Sequence, residues 1–134
     1  MKKFIILLLL CSGLICHGQS TTYKNNFGTN YINGKTGSFN KSSFTWTISQ
    51  NGTNYIIKTN AISDSFNVTY SHFDSANKLY VYKAIGNANF DGSKVVLVMT
   101  NQKLSDLAKG MTGQLNLLAI LFQDNTGYMY KLNK

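Results

Sequence analysis

The chain has 134 residues with 13 lysines, no arginine, five aspartates, no glutamate, two histidines, two cysteines and no proline, for a formal charge of +8. One domain is the natural expectation at this length, and a two-domain enzyme is not expected. Scarce carboxylates, histidines and thiols restrict acid–base, nucleophilic and metal chemistry from the outset.

Lys2 and Lys3 precede an uncharged apolar run from Phe4, and Cys16-His17-Gly18 places small residues at the −3 and −1 positions of a cleavage site before Gln19. The segment reads as a secretory signal peptide over residues 1–18. Spanning a bilayer takes roughly 20 apolar residues, and Ser12, Gly13, His17 and Gly18 interrupt this run. A lipoprotein signal is the alternative; it wants a small residue before the acylated cysteine, whereas Leu10 precedes Cys11 and Ile15 precedes Cys16. The expected exported chain is secreted, periplasmic or associated with the outer membrane, without a transmembrane segment. It carries 11 lysines against five aspartates, a charge of +6, and it keeps one histidine and neither cysteine. No disulfide is therefore expected.

Residues 19–43 are rich in Asn, Gly, Ser and Thr, and predict a loosely structured arm with short strands and a turn at Asn33-Gly34. The all-β core is expected over 44–134. Phe44, Trp46 and Ile48 alternate with polar residues, as do Tyr55, Ile57 and Thr59, and Asn51-Gly52 between them suits a two-residue hairpin loop. That loop would set Ile48 opposite Tyr55 and Trp46 opposite Ile57. Phe66, Val68, Tyr70 and His72 continue the alternation, Asp74 to Asn77 turn the chain, and a strand returns from Leu79 to Ile85. Asp91-Gly92 leads into Val95 to Met99, apolar on both faces as in a strand buried on both sides. Residues 102–109 predict one short helix, capped by Asn101 and ended by Gly110. A strand from Leu115 to Phe122 then turns into Tyr128 to Leu132, with Gly127 expected in the left-handed position of the loop.

About seven to nine strands joined by hairpin turns predict an all-β fold, an antiparallel meander forming a small barrel or β-sandwich. The arrangement resembles lipocalin-like or avidin-like barrels in architecture alone. The Gly-x-Trp of lipocalins has its nearest counterpart in Gly28-Thr29-Asn30, without the tryptophan, so no ligand or residue carries over.

The chemistry is read by elimination. Asp64, Asp74, Asp91 and Asp124 fall in turns, where aspartate bonds nearby amides, and Asp106 falls on the helix. No metal site, cofactor loop or nucleophile elbow is present in the sequence. A hydrolase using His72 with an aspartate is one functional expectation, with Ser71, His72 and Asp74 as the nearest triad, opposed by the rule that neighbouring strand residues face opposite ways. A surface or adhesion protein assembling through its strands is another. The favoured expectation is an exported noncatalytic binding protein for a small apolar ligand, a glycan or a cell-envelope component. Its candidate ligand-binding residues are Trp46, Tyr80, Tyr82, Lys83, Tyr128, Tyr130, Lys131 and His72, a mix of aromatic surface and positive charge. Nucleic acid is not expected, since arginine, the usual residue for bidentate phosphate and guanine contacts, is absent.

Overall fold

The computed structural model describes residues 19–33, 35–62, 65–111 and 115–134. The expected leader 1–18, Gly34 and Asp64 lie outside the described residues. Among the described residues there are eleven strands: β1 (Ser20–Ile32), β2 (Lys35–Thr36), β3 (Asn40–Lys41), β4 (Thr45–Asn51), β5 (Asn54–Thr59), β6 (Ser65–Asp74), β7 (Leu79–Ile85), β8 (Asn89–Phe90), β9 (Ser93–Thr100), β10 (Asn116–Phe122) and β11 (Thr126–Asn133). Among the described residues the one helix is short, α1 (Leu104–Ala108), and lies between β9 and β10.

Eight of the strands form a closed antiparallel barrel. Taken in order around the ring they are β1, β4, β5, β6, β7, β9, β10 and β11, and β11 pairs back to β1. Each strand therefore lies beside its neighbours along the chain, and closure removes the free edges of the ring. The open edges among the described residues belong to the two-residue strands β2, β3 and β8, which pair with β1 or β9. Of the two architectures the sequence allows, the structure takes the barrel.

Polarity follows the strand period. Tyr23, Trp46, Ile48, Ile57, Phe66, Val68, Val98, Leu118 and Ile120 point inward and are buried, while Thr47, Ser49, Lys58, Asn67 and Thr69 alternate with them on β4, β5 and β6. A membrane barrel has the opposite arrangement, apolar outside and polar within. Among the described residues, no helix is long and apolar enough to cross a membrane. The outer face of β7, β9, β10 and β11 is more apolar, with Val81, Met99, Ala119 and Met129 side by side in one cross-strand row. Leu97 and Met99 are half-buried there, so the run 95–99 is fully covered on its inner side only.

Several local expectations change. The segment 19–43 is not a loose arm: β1 is the longest strand and completes the ring. Its inward positions include Thr21, Asn25 and Gly28 as well as Tyr23, which hides it from a search for alternating apolar residues. The β4–β5 hairpin turns on Gly52-Thr53 instead of Asn51-Gly52, pairing Ile48 with Ile57 and Trp46 with Thr59. Gly52 has φ +63 and Thr53 is not left-handed, the pattern of a type II′ turn. The pairing differs from the expected register by two residues, so the inward face is preserved.

Asp91-Gly92 does form a turn with both residues at positive φ, 51° and 77°. In the last hairpin Asn125, at φ 65°, takes the left-handed position expected for Gly127. Gly127 serves a steric need, since a Cβ there would overlap the Ile120 carbonyl.

The helix is shorter than expected, five residues, and Asn101 does not cap it. Its side chain instead accepts from Leu117 N–H at 2.8 Å and donates to Leu115 O at 2.6 Å, pinning the start of β10. Gly110, at φ 76°, ends the helix as expected, with its N–H on Leu107 O at 3.0 Å. The helix packs against β1 and β4 across one end of the barrel. The Tyr23 hydroxyl donates to Leu107 O at 2.6 Å and Thr21 Oγ1 to Ala108 O at 2.8 Å.

Candidate functional site

The inward side chains form one packed cluster, and two concave spaces lie at opposite ends of the barrel. At the end away from α1, a mouth of about 380 Å³ is walled by Phe44, Phe90, Tyr128 and Tyr130, within the size range of small-molecule sites. Its rim is polar, with Asn30, Asn40, Lys41, Ser42 and Asp91 among the lining residues.

The aromatic wall is a connected cluster. Trp46 and Tyr130 have ring centroids 4.9 Å apart, Phe90 and Tyr128 5.4 Å, and Phe44 meets Tyr130 edge to face at 6.1 Å. Tyr130 lies directly opposite Gly28, and a Cβ at Gly28 would come within 2.9 Å of the ring. The missing side chain thus lets the ring lie against the β1 backbone. Tyr128 donates its hydroxyl to Asp91 Oδ2 at 2.6 Å, which fixes the tip of the β8–β9 hairpin to β11. That bond to Asp91, with burial as a smaller cause, holds the Tyr128 phenol above its ordinary pKa. Burial raises Tyr130 likewise.

Beneath the mouth sits a fully buried asparagine that sequence reasoning missed. Asn25 Oδ1 accepts from Trp46 Nε1 at 2.6 Å and from Phe44 N–H at 3.2 Å, and its Nδ2 donates to Ser42 O at 3.1 Å and Ser42 Oγ at 2.5 Å. Its own N–H donates to Phe44 O at 3.1 Å. It lies beside a β-bulge between Asn25 and Phe27, where the ladder is interrupted and the side chain takes over the pairing. Asn25 therefore fixes residues 42–44, and with them Phe44 and Ser42 of the mouth. An Asn in an Asn-rich stretch carries no sequence signal for such a role.

A second cleft, of about 320 Å³, opens beside α1 and is lined by Tyr55, Tyr70, Tyr80, Tyr82, Lys103 and Ser105. Tyr82 is buried, and its hydroxyl accepts from Leu104 N–H at 2.8 Å. Burial pushes its pKa up to about 12.

The sequence-selected residues thus divide. Tyr128 and Tyr130 line the mouth, with Trp46 packed behind Tyr130, while Tyr80 and Tyr82 line the other cleft. Lys83 and Lys131 alternate with these tyrosines and therefore fall on the outer surface. Lys83 is exposed, and Lys131 Nζ lies 4.1 Å from the Phe39 ring centroid. The lysines that do reach the concave sites are Lys41 and Lys103.

His72 lines neither cleft. A bulge between Tyr70 and His72 breaks the alternation, so that Tyr70 pairs with Tyr82 but His72 pairs with outward-facing Val81. The same bulge brings neighbouring side chains together, with Ser71 Oγ 2.9 Å from His72 Nδ1 on the exposed surface. Asp74 is engaged by its own turn. It accepts from Asn77 Nδ2 at 2.8 Å and from the N–H groups of Ala76 and Asn77, and these bonds, the Asn77 side chain first, lower its pKa. Among the described residues, no three His, Cys, Asp or Glu side chains gather as metal ligands. The chain matches no protein-family model, no curated protein and no solved structure with which it was compared.

Proposed function

We propose that this is an exported noncatalytic binding protein that holds a small ligand in the open mouth of its barrel. The observation that carries the reading is the four-ring wall of Phe44, Phe90, Tyr128 and Tyr130 set against amide, hydroxyl, carboxylate and ammonium groups on one rim. Rings supply a flat apolar surface, and the rim supplies both donors and acceptors to orient what lies on it. A glycan unit, free or part of a cell-envelope component, has that combination of one apolar face and a hydroxylated edge. A wholly apolar ligand would leave the rim groups unpaired. Export rests on the leader pattern of residues 1–18, with its positive start, apolar run and small-residue cleavage site.

Trp46 provides the readout, because it is the sole tryptophan and touches Tyr130. Protein purified from its own host is expected to carry a sugar-containing ligand by native mass spectrometry, and adding that ligand to stripped protein is expected to shift Trp46 emission saturably. Phe90→Ala should weaken the binding roughly tenfold or more, as loss of an aromatic contact does. A ligand that binds wild type and Phe90→Ala equally would overturn the assignment to the mouth, and protein that retains nothing and responds to no envelope glycan would overturn the function.

A further inference from the structure

We infer that the cleft beside α1 is a second ligand site, which takes a single-ring organic anion bearing a carboxylate or phosphate. The cleft exists because α1 packs toward β1 and β4 and leaves the inward-facing tyrosines of β5, β6 and β7 partly uncovered. Tyr70 is 51% exposed although it shares a face with buried Val68 and Tyr82. Tyr70 thus presents its ring to the cleft.

The polar groups of this cleft share one character. Among the described residues, the hydroxyls of Tyr55, Tyr70 and Tyr80 make no hydrogen bond within the protein, and Lys103 has no carboxylate partner. Tyr82 uses its oxygen to accept from Leu104 N–H, which leaves its own proton to donate. Ser105 adds another hydroxyl. No Asp lines the cleft, so its only formal charge is the Lys103 ammonium. A cation would meet repulsion and no counter-charge, whereas an oxyanion would find a charged donor flanked by phenol donors.

The rings specify the rest of the ligand. Tyr55 and Tyr70 each stand nearly edge-on to Tyr82, at 5.7 and 5.6 Å, making an angular slot instead of a flat platform. Its volume is near the lower end of small-molecule sites, which fits one ring. This site shares no lining residue with the mouth and does not depend on what the mouth holds.

The test uses the full exported chain and three probes: glucuronate, benzoate and neutral glucose, followed by backbone amide shifts in NMR titrations. At least one acid is expected to bind saturably, with shifts centred on Tyr70, Tyr82 and Lys103, and glucose is not. The two acids separate a sugar source from an aromatic one. Lys103→Gln, an exposed change that leaves the fold intact, should weaken the acid roughly tenfold, the size of a lost charge-assisted hydrogen bond. Tyr70→Phe, which keeps the ring, should cost a smaller factor. Lys58→Gln, which removes an exposed lysine lining neither cleft, should cost nothing. The inference is overturned by failure of both acids to bind, by glucose binding as well as they do, by shifts centred on the mouth, or by unchanged affinity in Lys103→Gln.

Discussion

Replacing Asn25 by leucine tests how the mouth is held together. Leucine has the branched heavy-atom skeleton of asparagine but larger terminal groups, so the change opens no cavity and acts through lost hydrogen bonding, with some crowding at this buried site. It removes all four side-chain bonds, to Trp46, Phe44 and the two Ser42 oxygens. The indole N–H of Trp46 is then stranded on a side chain with no solvent exposure, at a cost of roughly 1–3 kcal/mol. The Phe44 N–H and Ser42 O are half-buried and recover part of their loss from water. A total of about 2–4 kcal/mol is expected, a large share of the 5–15 kcal/mol typical of a domain. Urea unfolding followed by Trp46 emission should move its midpoint down by roughly 1–2 M for an ordinary urea dependence. Trp46→Phe, followed by circular dichroism, should then cost about 1 kcal/mol less in the Asn25→Leu background than alone, because the two residues share a bond. A loss below about 1 kcal/mol for Asn25→Leu, or strict additivity of the two changes, would refute the claim that this asparagine pins the mouth.

Gly28→Ala should cost about 1–2 kcal/mol and perturb Trp46 emission, since the new methyl would displace the Tyr130 ring that touches the indole; a neutral effect on both would show that the ring does not need the β1 backbone. Gly127→Ala should be worse, about 3 kcal/mol or more by thermal unfolding, because the clash is with the Ile120 carbonyl of a paired strand instead of a movable side chain. Stability should fall above pH 10. Tyr82 keeps its proton in the folded chain up to about 12 against an ordinary 10.0, so its contribution is complete below pH 10 and is lost as pH rises through the folded value. The slope from this group is about 1.4 kcal/mol per pH unit, and Tyr82→Phe should flatten the alkaline limb measured by urea titration at each pH.

The meander was legible because most inward positions of β4, β5, β6 and β10 are apolar and their outward neighbours on β4, β5 and β6 are largely polar. Such alternation survives a two-residue error in register, as the β4–β5 hairpin shows. It fails where the chain departs from it. The bulges beside Asn25 and at Ser71 each change which face the next residue takes, and neither has a marker in the sequence. For that reason His72 was expected inside and lies outside. Tyr and Lys do not form one surface for a simpler reason, since adjacent residues of a regular, unbulged strand point to opposite faces. The mouth itself was beyond sequence reasoning, because Gly28, Asp91 and Tyr128 meet only when the ring has closed.

That closure has a consequence for the order in which the chain can fold. The seam is made by β1, the first strand of the ring along the chain, and β11, the last, with Lys24 opposite Asn133 and Ile32 opposite Thr126. No ring can be completed until the C-terminal strand is available, so a chain still being synthesised or threaded carries an unsatisfied edge on β1. Contacts this distant in sequence make for slow folding, and the open edge is a site for mispairing while it lasts. If the chain is exported, as proposed above, a fold that locks only after its last residues arrive would leave the earlier strands threadable until then. Removal of residues 126–134 should accordingly leave an aggregating chain instead of a smaller barrel.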